Sequence, residues 1–394
     1  MVNRTELLRE LRKMRFLEVY ERCRAERLSY AEAAETLGVS ERTFRRMRDR
    51  YEAEGEDGLV DRRIGKPSPH RIGAAEVARV VALYRERYAD WTVKHFHERA
   101  QSRHGLMASY GWTKSVLQAA GLVRPAVKRS AHRKKRPRRP MVGMMLHQDG
   151  SRHLWLPALG RQIDLIVTMD DATSEIYSGF FVDEEGTASS FRGLHEVISR
   201  YGLFCALYTD RGSHYFHTAK AGEPVDKAKL TQVGRALAQL GIRHIAAYSP
   251  EARGRSERMF ETLQDRLVKE LADAGIATIA AANRFLNEVY LPAHNRRFAV
   301  AAAEPASAFV PWTRSDLTEI LCHHEERIVG NDNTVVFGKL RLQIEPSPLR
   351  PHFVRASVQV RRYADNTVAI FYGPRCIGRY RPDGTPREAQ PKAA

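Results

Sequence analysis

The sequence predicts a multidomain chain: two all-α modules first, a larger α/β domain in the middle and a small β-barrel at the end. Three observations predict it. Helical periodicity with short breaks fills residues 1–123, a basic, proline-containing run interrupts the chain at 124–140, and apolar strands then alternate with helical stretches to about residue 300. At 394 residues the chain is too long for one ordinary core, and 43% hydrophobic with 28% charged residues is a globular balance.

The first module covers 1–66. In LSYAEAAETLGVSERTFRRMRDRY, Ala33 and Ala34 are small where two helices cross, Gly38 permits a tight turn, and Ser40 can cap the second helix. Phe44, Met47 and Tyr51 then share the inner face, leaving Arg42, Arg45, Arg46 and Asp49 outside. This is a helix-turn-helix pattern whose second helix suits the major groove, with Arg42, Thr43, Arg45 and Arg46 as expected DNA contacts. An ordinary amphipathic hairpin with a solvated arginine face is the bland alternative.

The second module covers 70–123, with helices expected at 74–88, 93–104 and 112–120. Its last helix either presents Thr113 and Lys114 to DNA or belongs to a plain spacer. The run RPAVKRSAHRKKRPRRP at 124–140 has nine Lys/Arg, three prolines and no acid, so it reads as a basic linker, with Arg133, Lys134, Lys135 and Arg136 expected on phosphates.

In the α/β domain, 141–300, strands are expected at 143–148, 163–169 and 176–183, then a helix at 187–200, a strand at 205–209, a helix at 227–240, a strand at 243–247 and a long helix over about 254–274. That order is the order of a ribonuclease-H-like core, in which the first and fourth strands lie side by side. Short β-rich runs at 334–337, 358–363 and 367–372 suggest a small β-barrel over 325–380. Residues beyond 381 read as disordered.

The formal net charge of +17 favours a polyanionic partner, and with a helix-turn-helix that partner is expected to be double-stranded DNA. Four scattered cysteines form neither a disulfide framework nor a metal pattern. No apolar run approaches the roughly 20 residues needed to span a bilayer, and the opening residues lack a signal-peptide pattern. The expectation is a cytoplasmic, nucleoid-associated protein with no membrane partner.

Three acids stand where such a core can use them. Asp149 in LHQDGSRHLW is expected to end the first strand, Asp210 in LYTDRGSHY the fourth, and Glu257 in YSPEARGRSERMF to open the last long helix. Carboxylates are the hard ligands that Mg²⁺ prefers, and paired ions can activate an attacking hydroxyl and stabilise a leaving oxygen. Arg211, Arg253, Arg255 and Arg258 crowd these acids, as a DNA backbone would require. Asp170 and Asp171 rival them but read as a capped turn. His147 and His214 read as packed or solvated, and Cys322-His323-His324 lacks a second ligand pair for zinc.

The motifs HQDGS, DLIVTMDDATSE, YTDRGSHY and YSPEARGRSERMF resemble those of the DDE transposase and retroviral integrase superfamily, and of a bacterial insertion-sequence transposase of the ISNCY group. The resemblance implies that Asp149, Asp210 and Glu257 are the catalytic, metal-binding triad, with two ions of Mg²⁺ (or Mn²⁺) per site. It further implies binding of terminal inverted repeats, strand cleavage, strand transfer into target DNA and a homo-oligomer on the DNA. The stretch between Asp210 and Glu257 is longer than usual in that family, which reads as an inserted loop near 217–231. A DNA-binding regulator with an inactive core is the alternative.

Overall fold

The computed structural model describes residues 4–60, 71–125, 136–218, 225–226, 228–248, 250–346 and 350–387, with backbone only at 4–6 and 250–253. The chain divides into two compact units, Met1–Val80 and Val81–Ala394.

The first unit contains α1 (Arg4–Arg24), α2 (Tyr30–Leu37) and α3 (Glu41–Glu54). Ser29 caps α2 in a reciprocal box with Glu32, and Ser40 caps α3 by accepting from the Thr43 amide at 3.2 Å. Between them Gly38 takes the left-handed conformation at φ +66°, which costs a residue without a Cβ little. Phe16, Tyr20, Ala33, Ala34 and Phe44 form its core, with Met47 and Tyr51 packed against it.

Helix α4 (Ala74–Arg87) spans the division between units, and α5 (Val93–His104) and α6 (Tyr110–Ala119) follow. The helix α6 is capped by Ser109. In the larger unit, Tyr84 and Tyr88 pack their rings on Phe96 of α5.

The central sheet comprises β1 (Leu146–His153), β2 (Ile163–Asp170), β3 (Ile176–Val182), β4 (Ala206–Thr209) and β7 (Arg243–Ala246) in the order β3-β2-β1-β4-β7. β1, β2 and β3 pair antiparallel, while β1–β4 and β4–β7 pair parallel. α7 (Thr187–Tyr201) and α8 (Gln232–Gln239) cover one face, with the two-residue strands β5 (His217–Thr218) and β6 (Val225–Asp226) between β4 and α8. α9 (Pro250–Asp273), α10 (Ile279–Phe285) and α11 (Leu291–Phe298) follow β7; a π-turn at Leu286–Tyr290 joins the last two.

Side chains alternate across a strand. On β2, Ile163, Leu165, Val167 and Met169 enter a core with Met259, Phe260, Leu263, Leu267 and Leu271 of α9. Leu146 and Leu207 instead join Leu194 and Val197 of α7 and Val233 and Leu237 of α8. Each face of the sheet therefore has its own apolar core, and α9 lies on the face opposite α7.

The second helical module is fastened to α9 by polar contacts. His95 Nε2 lies 2.9 Å from Glu270 Oε1, Arg99 3.1 Å from Glu270, Arg103 3.0 Å from Asp273, and Arg266 donates to Glu98 at 2.7 Å.

The C-terminal region has the short helix α12 (Leu317–Ile320) and strands β8 (His323–Ile328), β9 (Thr334–Phe337), β10 (Leu340–Gln343), β11 (Ser357–Arg362), β12 (Val368–Tyr372) and β13 (Arg375–Tyr380). The expected closed barrel is corrected: the strands make a four-stranded antiparallel sheet, β13-β12-β11-β8, and a separate β10-β9 hairpin. Both share one core, from Val335 and Leu342 to Val360 and Ile370, but among the described residues no strand ladder joins them, so burial there is achieved without closure. Gln232 exchanges two hydrogen bonds with the His324 backbone, and Arg235 donates to the Ile320 and Cys322 carbonyls, tying this region to α8. Among the described residues no helix is long and apolar enough to cross a membrane.

Candidate active site

β1 and β4 are neighbours, with Leu146 opposite Leu207 and His147 opposite Tyr208. Two residues beyond that last pair come Asp149 and Asp210, and alternation turns both away from α7, toward α9. They line one small pocket with His147, Gln148, Tyr208, Thr209 and Ser256.

Asp149 does not end its strand as expected; it is the fourth of eight residues in β1, because Gly150–His153 continue the antiparallel ladder with β2. At Gly150 a Cβ would sit 2.2 Å from a carboxylate oxygen of Glu185, so the next position admits only glycine without a shift. Glu185 Oε1 is also 3.5 Å from His214 Nε2. Asp210 follows β4, and its carboxylate accepts from the Gly212 amide at 2.8 Å. Below the pair, fully buried Tyr215 donates to Gln148 at 3.0 Å; burial raises its hydroxyl pKa well above the ordinary value, and Glu185, Asp149 and Asp210 add to that.

Glu257 is in α9, two turns in from a helix start that lies at Pro250 rather than near 254. Among the described residues of α9, Ser256 lines the pocket and is buried, whereas Glu257, about 100° further round the helix, is exposed. Among the described residues no three His, Cys, Asp or Glu side chains gather as a metal site. The structure therefore unites Asp149 with Asp210 and leaves Glu257 outside the pair.

Asp170 and Asp171 divide the expected capping role. Asp170 fills it, accepting from the Gly143 amide at 3.0 Å and the Thr173 amide at 2.9 Å, although burial still raises its pKa. Asp171 does something the sequence reading missed. Fully buried, it accepts through Oδ1 from His147 at 2.7 Å and from Arg136 and Arg255, and through Oδ2 from the Arg139 amide at 2.8 Å. Burial would raise its pKa; the hydrogen bonds and the Arg255 charge overcome that and hold it well below the carboxylate range. His147 is thus a bonded partner rather than filler.

Arg42, Arg45 and Arg46 are exposed on α3, with Thr43 partly covered at its start, and Arg45 pairs with Glu41. Thr113 is corrected: it is completely buried, bonded to His97 at 3.1 Å and to the Ser109 carbonyl, and has no face for DNA; Lys114 beside it is exposed. Arg133, Lys134 and Lys135 lie outside the described residues, as does the Arg253 side chain. Arg211 lies over the Tyr248 ring at 5.3 Å, and Arg258 is exposed. His324 bonds the Glu319 carbonyl at 2.8 Å, so the Cys322-His323-His324 run has a packing role.

Two family models, both described as homeodomain-like domains, match residues 7–60 and 43–111. A Sinorhizobium fredii (strain NBRC 101917 / NGR234) protein named as a transposase, y4bF, is 32% identical over 361 residues, 91% of this chain and 78% of that protein. The transposase for insertion sequence IS1202 of Streptococcus pneumoniae is 29% identical over 202 residues, 51% of this chain and 43% of its own length. Among solved structures, the simian T-cell lymphotropic virus intasome bound to a PP2A regulatory subunit overlaps 71% of this chain and 91% of its own at 14% identity and a TM-score of 0.33. The HTLV-2 integrase catalytic core domain with magnesium overlaps 38% and 89% at 18% identity and a TM-score of 0.27. With helix-turn-helix helices, and with a transposase at this identity matched over nine-tenths of this chain, the chain belongs to the transposases.

Proposed function

We propose that this transposase binds the terminal inverted repeats of its element, cleaves the strands there and joins the ends to target DNA, acting as a homo-oligomer on double-stranded DNA. The observation that carries the reading is that Asp149, on β1, and Asp210, just after the adjoining parallel strand β4, line one narrow pocket beside α9, the helix that bears Glu257. Two carboxylates on one face are a donor set that suits a hard divalent cation. Asp149 and Asp210 would hold it, with Glu257 as the third ligand; two ions of Mg²⁺ or Mn²⁺ would polarise the phosphodiester and activate water or a 3′-hydroxyl. Exposed Arg42, Arg45 and Arg46 are proposed to read base edges, and Arg211, Arg253, Arg255, Arg258 and the linker residues Arg133–Arg136 to hold phosphates. Modules at 1–66 and 70–123, a linker at 124–140, a core at 141–300 and a tail at 325–380 remain our division of labour, in a nucleoid-associated protein of the bacterial cytoplasm.

The test incubates labelled element ends with Mg²⁺ or Mn²⁺ and the wild type, Asp149→Asn, Asp210→Asn or Glu257→Gln. The wild type should cut and join, and each variant should lose about a thousandfold in cleavage, several kcal/mol of charge stabilisation, with end binding retained. The exposed position of Glu257 favours one second reading, a DNA-binding regulator with an inactive core. A wild type that binds the ends but neither cuts nor joins them establishes that reading.

A further inference from the structure

We propose that Arg136 and Arg255 form a two-arginine clamp for one DNA-backbone phosphate, aimed by Asp171, at the rim of the pocket that holds Asp149 and Asp210. The inference rests on the strand-processing reading above and names how one stretch of strand is seated there.

Charge balance is the first argument. Asp171 is a single buried carboxylate, yet Arg136 and Arg255 both donate to its Oδ1. Among the described residues neither arginine pairs with a second acid. Two guanidiniums share one bonded carboxylate, so one of their charges is not matched by the acid they hold, and a phosphodiester oxygen is an acceptor of the sign that would match it.

Geometry is the second. Arg255 also donates to the Arg136 carbonyl at 2.6 Å, so an arginine of the linker and one of α9, far apart in sequence, are tied to each other as well as to Asp171. Arg136 lies 5.4 Å over the ring of Tyr208, which lines the pocket; His147, which bonds Asp171, lines it too, as does Ser256, next to Arg255. The side chains keep 33% and 17% of their exposure while Asp171 has none. The acid is inside, the two forks are at the surface, and each fork has five N–H donors in a plane that matches phosphate oxygens.

Asp171 is thus a positioning residue. It fixes the direction of two long side chains before the strand arrives, which removes rotamer entropy that binding would otherwise have to overcome.

The experiment measures binding of a fluorescein-labelled duplex of arbitrary sequence by anisotropy, in EDTA, across a salt series, so that no cleavage intervenes. Arg136→Gln and Arg255→Gln should each weaken binding about tenfold, the loss of a charge-assisted bond. The double variant should lower the slope of log K against log salt by about 0.9, one phosphate's worth. An unchanged slope overturns the clamp, and a loss of about 1.8 overturns it in favour of two separate contacts. In an Asp171→Asn background, Arg136→Gln should add nothing; full additivity removes Asp171 from the proposal. If Asp171→Asn does not fold, Arg136→Lys decides: it should keep the slope and lose affinity, and wild-type affinity overturns the role of the fork. Cleavage by the wild type in Mg²⁺ is scored separately, so a protein that never cuts sinks the strand-processing reading while the slope still judges the clamp.

Discussion

The two helical modules both carry basic helix faces, and the structure uses those faces in opposite ways. In the first, Arg42, Arg45 and Arg46 point away from the Phe16–Phe44 core and stay exposed. In the second, His95, Arg99 and Arg103 of α5 meet Glu270 and Asp273 of α9, while Glu98 takes Arg266 and Arg297. A helical period places a basic residue opposite an apolar one in both cases; only acids some 170 residues further along decide that the second face is a joint.

The comparison breaks most readily with acid. Residues 1–60 contain no histidine, whereas in the larger unit burial lowers the pKa of His244 and His294 to about 4. A histidine held neutral when folded adds stability that is complete above its unfolded pKa, about 6.5, and is lost as pH falls from there toward 4. Each contributes on the order of 3 kcal/mol at full effect. Hydrogen exchange between pH 7 and 4.5 should therefore show amides of the larger unit losing protection before those of α1–α3; simultaneous loss would refute the distinction.

Cutting the joint comes next. Glu270→Ala leaves buried His95 without its acid and Arg99 with Asp273 alone, and should lower stability by about 3 kcal/mol, read as a drop in the denaturation midpoint, with little change in DNA affinity. A variant as stable as the wild type would mean that the joint is ornamental.

The smallest effect belongs to the exposed faces. Arg45→Ala or Arg46→Ala should cost about 1–3 kcal/mol of end binding and leave the midpoint unmoved. Lys114→Ala, on a module whose neighbouring Thr113 faces inward, should change binding less; an equal loss would make the second module a DNA reader after all.

Much of the core was legible because burial writes a period of two into strands. β2 and β3 begin where the apolar runs begin, and the parity that turns Asp149 and Asp210 to one side could be counted along the chain. β1 runs past its expected end near Asp149 because Gly150–His153, which carry no apolar side chain to signal a strand, still pair fully with β2. α8 starts at Gln232 rather than 227 because the Thr231 hydroxyl caps it, accepting from the Gly234 amide at 3.1 Å. The role of Asp171 was not legible. Its partners lie 24, 35 and 84 residues away, and nothing local distinguishes it from Asp170, which does cap the turn.

Helix α9 serves both regions: Ser256 near its start borders the pocket lined by Asp149 and Asp210, and Glu270 and Asp273 near its end hold the second module. At 1.5 Å per residue its 24 residues make an unbroken rod of about 36 Å. The pocket edge at Ser256 and the joint at Glu270 and Asp273 are therefore carried by one helix, with no loop between them.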